Sequence, residues 1–145
     1  MGLFPFTFIP LVLYCIASIF LYDPSNYVVT PGEPYVHPFW SDAVLGMTLV
    51  SGQNWALSYG DLIITVAIVL MLFSILRTAS TSRMTVLGNM VMVLVLCVYI
   101  VLFLTVDFAG TSTFFILTMI ALIDTLATVS VSLVASHSSV DAVPD

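Results

Sequence analysis

The sequence predicts an all-α membrane protein of four transmembrane helices, with both termini cytoplasmic and an outer loop between the first two helices. Three observations carry this expectation. Of 145 residues, 61% are hydrophobic and only 7% charged, where an ordinary soluble domain is about a quarter charged. Mean hydropathy is +1.19, and a soluble fold of this size keeps too much surface wet to hide such a composition. The apolar residues also fall into four runs, each close to the roughly 20 residues that a helix needs to cross a bilayer. Residues 1–145 are expected to form a single membrane domain.

The first run, "LFPFTFIPLVLYCIASIFLY", spans residues 3–22. It lacks the basic start and small-x-small cleavage site of a signal peptide, so it reads as an anchor helix, with Pro5 and Pro10 near its start where proline is tolerated. The outer loop, 23–60, follows. Its first half carries Pro24, Pro31, Pro34 and Pro38 and is expected to be extended and irregular. Its second half alternates, with Leu45, Met47 and Leu49, then Trp55, Leu57 and Tyr59. Folding about Gly52 pairs 49 with 55, 47 with 57 and 45 with 59, a β-hairpin with one apolar face. Trp40, Trp55 and Tyr59 are expected to anchor this loop at the membrane interface, where aromatic rings settle.

The second helix is expected over 61–79, with the Asp61 carboxylate near its free N–H groups. The third is expected over 84–106, and the fourth over 112–135, opened by a capping "TST". The polar stretch 136–145 reads as a tail. Both arginines of the chain, Arg77 and Arg83, border the short connection between the second and third helices. The positive-inside rule places that connection, and with it both termini, in the cytoplasm.

One residue breaks the apolar pattern. Asp124 sits near the middle of "TSTFFILTMIALIDTLATVSVSLV". On a helical wheel it shares a face with Leu117, Ala121, Thr125, Thr128, Ser132 and Ala135, opposite Phe115, Ile116, Met119, Ile123, Leu126 and Val134. Small and hydroxylated residues favour close helix–helix approach in a bilayer, so Asp124 is expected to face a neighbouring helix. A charged aspartate at mid-membrane costs roughly 2.5–3.5 kcal/mol on insertion scales, and burial favours the neutral, hydrogen-bonding carboxyl. Asn89, Thr125, Thr128, Tyr99 and Ser74 are its candidate partners within the chain. Three roles compete for it: hydrogen-bonded glue within the bundle, contact with another protein's helix or cofactor, and a proton or ion relay. Relays usually need several ionisable groups along a path, which favours glue.

Other chemistry finds little to stand on. The formal net charge is −6, and without a basic patch nucleic-acid binding is disfavoured. Cys15 and Cys97 lie in apolar runs, where thiols act as small hydrophobes. The predicted spans contain no histidine: His37 is in the outer loop and His137 in the tail. His37, Glu33 and Asp42 imitate a metal set only weakly. No phosphate loop and no nucleophile–base pair is visible, so no catalytic residue, cofactor or metal is assigned.

The stretches "SYGDLIITVAIVLMLFSILRTAST" and "TSTFFILTMIALIDTLATVSVSL" resemble uncharacterised small four-helix inner-membrane proteins of alphaproteobacteria. The likeness covers most of 45–135, including the "SG…W…GD" run and Asp124. This chain has Ser74 where those proteins commonly carry an acid before the basic end of the second helix, so a charged pair with Arg77 is not expected. The resemblance implies a multi-pass protein of the bacterial inner membrane and no reaction. The expected function is that of a non-catalytic accessory subunit, binding lipid and the transmembrane subunits of a larger respiratory or photosynthetic complex. The alternative is a small proton- or ion-conducting oligomer built around Asp124.

Overall fold

The structure, a computed structural model, describes residues 6–21, 32, 37–80 and 86–140, with backbone alone at 78–80, 86 and 135–140. It is mostly helical: α1 (Phe8–Phe20), a single-turn α2 (Pro38–Ser41), strands β1 (Ala43–Thr48) and β2 (Asn54–Ser58), α3 (Tyr59–Ser80), α4 (Val86–Thr105), a 3-10 turn at Asp107–Ala109, and α5 (Ser112–Val140). Among the described residues three helices are long and apolar enough to cross a membrane, over Tyr59–Arg77, Leu87–Thr105 and Ser112–Val134.

The described α1 is shorter than the expected first span. Its 13 residues reach about 20 Å at 1.5 Å per residue, against a hydrocarbon thickness of about 30 Å. Residues 3–5 and 22 of that expected span lie outside the described residues. Pro10 falls in the first turn of α1, where the missing N–H has no helical partner to lose.

Local chemistry fixes where α3 and α5 begin. Ser58 and Asp61 form a reciprocal cap: the Ser58 N–H and Oγ both donate to Asp61 Oδ2 (3.1 and 2.7 Å), and the Asp61 N–H donates to Ser58 Oγ (3.1 Å). Asp61 therefore does cap, but as the third helical residue of a capping box, and the helix starts two residues earlier than expected. On α5, Thr111 Oγ1 accepts the Phe114 N–H at 3.2 Å, the N-cap role read from "TST". The far end of α5 departs from expectation, because helix continues through Val140 into the stretch read as a polar tail. Nothing breaks it there: 136–140 contain neither Pro nor Gly, and adding residues to an existing helix is far easier than nucleating one.

The hairpin forms in antiparallel register with Leu45 opposite Leu57 and Met47 opposite Trp55. That is a shift of two residues from the expected pairs. The turn explains it. Gly52 has φ +80° and closes a three-residue loop, its N–H bonded to Leu49 O and the Leu49 N–H to Gln53 O, each at 2.9 Å. Such loops end on a left-handed residue, so Gly52 takes the last loop position and not the centre. An even shift leaves Leu45, Met47, Trp55 and Leu57 on their expected face, whereas Tyr59 begins α3 and does not pair with Leu45.

α5 is the central helix. In its membrane-length window 44% of residues are buried, against 22% in α3 and 17% in α4. Its predicted inner face is the one buried: Leu117, Ala121, Asp124 and Thr128 are each at most 1% exposed, while Ile123, Leu126 and Val134 are open. At the α5 N-terminal end, aromatic rings close the bundle. Tyr14, Phe114 and Tyr99 are fully buried, and α2 folds over them so that Trp40 stacks on Tyr14. Trp40 therefore corrects the interface-anchor expectation. It is buried, and its indole N–H donates to Ser18 Oγ at 3.2 Å. The absence of a side chain at Gly60 permits this closure, since a Cβ there would lie 2.9 Å from both Trp40 O and Thr113 Oγ1.

Candidate functional site around a buried carboxyl

Asp124 lies 12 residues into α5, about 18 Å from its start, and is completely enclosed. Its Oδ2 accepts two hydroxyl hydrogen bonds. One comes from Thr7, at the N-cap position of α1, and the other from Ser74 on α3 at 3.2 Å. The Thr7 carbonyl in turn accepts the Tyr99 hydroxyl of α4 at 2.8 Å. One carboxyl thus joins the four longest helices through three side chains. Thr7, Ser74 and Tyr99 are themselves buried, so these bonds operate away from water, where each unmade one would cost most.

Of the five expected partners only Ser74 bonds Asp124 directly. Tyr99 is one bond removed. Asn89 goes elsewhere: its Nδ2 donates to Ser132 Oγ at 2.7 Å, and Ser132 donates to the Val129 carbonyl at 2.9 Å. Thr125 donates to its own helix at Ala121 O, 2.8 Å. Thr128 Oγ1 and Asp124 Oδ1 are both buried and have no hydrogen-bond partner among the described residues. The Asn89–Ser132 bond is thus a second polar link, between α4 and α5, separate from the Asp124 bonds to Thr7 and Ser74.

Thr7 was missed. A signal for it existed, because Thr7 and Ser18 are the only Ser or Thr residues in the first apolar run, and both end up buried and hydrogen-bonded across helices. Arg77 stands three residues beyond Ser74, with its guanidinium carbon 5.6 Å from the Phe6 ring centroid, inside cation–π range. Arg83, Glu33, Pro24, Pro31 and Pro34 lie outside the described residues. Trp55 and Tyr59 are exposed at 42% and 39%, and Tyr59 stacks on Phe39 at 4.7 Å.

Chemically the site is a carboxyl acceptor set among hydroxyls. Among the described residues no three His, Cys, Asp or Glu side chains gather as a metal site would require. No protein family, curated protein or solved structure matches the chain.

Proposed function

We propose that this chain is a non-catalytic accessory subunit of a larger inner-membrane assembly, with Asp124 as the internal fastening of its own bundle. The observation that carries the reading is the contrast between inside and outside. Polar side chains are tied together within one chain at Asp124, Thr7 and Ser74, whereas α3 and α4 leave apolar side chains such as Leu72, Phe73, Leu94 and Val101 more than half exposed. Such a belt suits acyl chains and the helices of other subunits. Enclosure of Asp124 inside a single chain supports glue over a pore-lining ring, which would need the carboxyl to face the opening.

In this reading α1 is the fourth span, and the α3–α4 connection with Arg77 and Arg83 is cytoplasmic, as are both termini. The outer side then carries the hairpin and the aromatic closure.

Extraction in mild detergent, followed by sizing and mass spectrometry of everything that co-migrates, tests the proposal. Stoichiometric transmembrane companions are expected. Migration alone, as a monomer or small ring, sinks the accessory reading. Ion flux lost in Asp124→Asn with assembly intact would instead support conduction.

A further inference from the structure

We propose that the β1–β2 hairpin docks on the neutral headgroup–acyl boundary of the bilayer, apolar face down, with Trp55 as its anchor. The proposal rests on the reading that α3 crosses the membrane.

The hairpin is two-faced. Leu45, Met47, Trp55 and Leu57 share one side through the observed register. The other side holds Gly46, Ala56, Thr48 and Asn54, the last two hydrogen-bonded at 3.2 Å. In a soluble fold the apolar side would cover a core, but here Leu45, Met47 and Trp55 are 52%, 53% and 42% exposed. The loop adds one more apolar side chain, Val50, fully exposed beside Ser51 and Gly52.

Three further observations choose the occupant. First, β2 ends at Ser58 and α3 begins at Tyr59, so the hairpin base is fixed, without a linker, to the end of a membrane-length helix. Second, residues 43–60 contain no charged side chain, and acids Asp42 and Asp61 flank them. An anionic surface or a charged protein patch finds no complement there, whereas a zwitterionic lipid surface needs none. Third, a two-stranded sheet leaves one edge of each strand unpaired. Those N–H and C=O groups need water or headgroups, which excludes the hydrocarbon interior and leaves the boundary, the zone that tryptophan prefers.

The chain contains two tryptophans, and Trp40 is buried, so Trp40→Phe leaves Trp55 as the reporter. The purified chain is reconstituted in phosphatidylcholine vesicles. Bromination of the acyl chains near the glycerol end is expected to lower Trp55 emission about twofold, bromination near the chain ends less, and aqueous iodide hardly at all. Should Trp40→Phe fold poorly, subtracting the Trp55→Phe signal from that of the unsubstituted protein gives the same readout. The double substitution Leu45→Ser/Met47→Ser is expected to restore iodide access with helicity unchanged. Iodide quenching without lipid quenching puts the hairpin in water and overturns the proposal. Shielding from both quenchers assigns the face to a second copy and overturns it too. A chain that washes off the vesicles at high pH overturns the membrane reading itself, and the docking with it.

Discussion

Trp40 lies flat against Tyr14, ring centroids 4.4 Å apart and planes 7° from parallel. The two residues belong to different elements, and their contact holds the short helix α2 down on α1. The Tyr14 hydroxyl then continues to Thr111 Oγ1 at 2.6 Å and to the Phe108 carbonyl at 3.0 Å. One stacked pair thereby connects the stretch between α1 and α3 to the start of the central helix.

Trp40→Ala is expected to cost about 3–5 kcal/mol, the range for emptying a large buried aromatic site. Trp40→Phe should cost clearly less, because it retains a ring against Tyr14 and gives up only part of the indole's buried area along with the bond to Ser18. Thermal unfolding in a single detergent, followed by circular dichroism, ranks the two. Equal losses would mean that stacking contributes little.

Asp124→Ala removes the carboxyl that accepts from Thr7 and Ser74 and should destabilise the bundle by about 1–3 kcal/mol. Asp124→Asn retains an oxygen acceptor and should fall nearer the unsubstituted protein. Titration with a denaturing detergent measures both. An alanine variant as stable as the original protein would remove Asp124 from its fastening role.

His37 precedes α2 and is 1% exposed. Burial pushes its imidazole below the ordinary value, so the folded chain prefers the neutral ring. Stability from this source is complete above about pH 6.5, the unfolded value, and is lost as pH falls toward the lower folded value. Acidification should therefore loosen α2, seen as a change in Trp40 emission in a Trp55→Phe background. In His37→Gln that acid-dependent change should vanish; its persistence would assign the effect to another group.

Gly60→Ala places a methyl group 2.9 Å from the Trp40 carbonyl and from Thr113 Oγ1. The hydroxyl can rotate away, but the backbone carbonyl cannot do so without moving α2. A loss of about 1–3 kcal/mol is expected, with the Trp40 environment disturbed and the rest of α5 intact. Hydrogen exchange at the start of α3 and α5 would locate the damage.

The long apolar helices and the buried face of α5 were legible in the sequence because both follow from a repeating requirement. Every residue of a span must tolerate hydrocarbon, and every third or fourth residue meets a neighbour, so Leu117, Ala121, Asp124 and Thr128 announce themselves together. The hairpin was legible to within its turn. Alternation set the faces, but register depends on where Gly52 adopts positive φ, which alternation does not encode. Trp40 was misread for a related reason. Interface aromatics and a ring folded back onto Tyr14 have the same local sequence, and only the turn started by Pro38 separates them. Thr7 and Ser74 illustrate the remaining gap: the wheel says that Asp124 faces inward, but the choice of hydroxyl depends on how far each helix is displaced along its axis. No periodicity carries that offset.

The bond from Thr7 to Asp124 joins positions 117 apart in the chain, and this bears on biosynthesis. A ribosome delivers Thr7 first and Asp124 more than a hundred residues later. During that interval the Thr7 hydroxyl is in place without the carboxyl it donates to in the finished fold. The last helix to emerge is the one that ends the wait. Chains stalled before α5 therefore lack the carboxyl that ties α1 to α3, and the bundle closes only once its last helix is made.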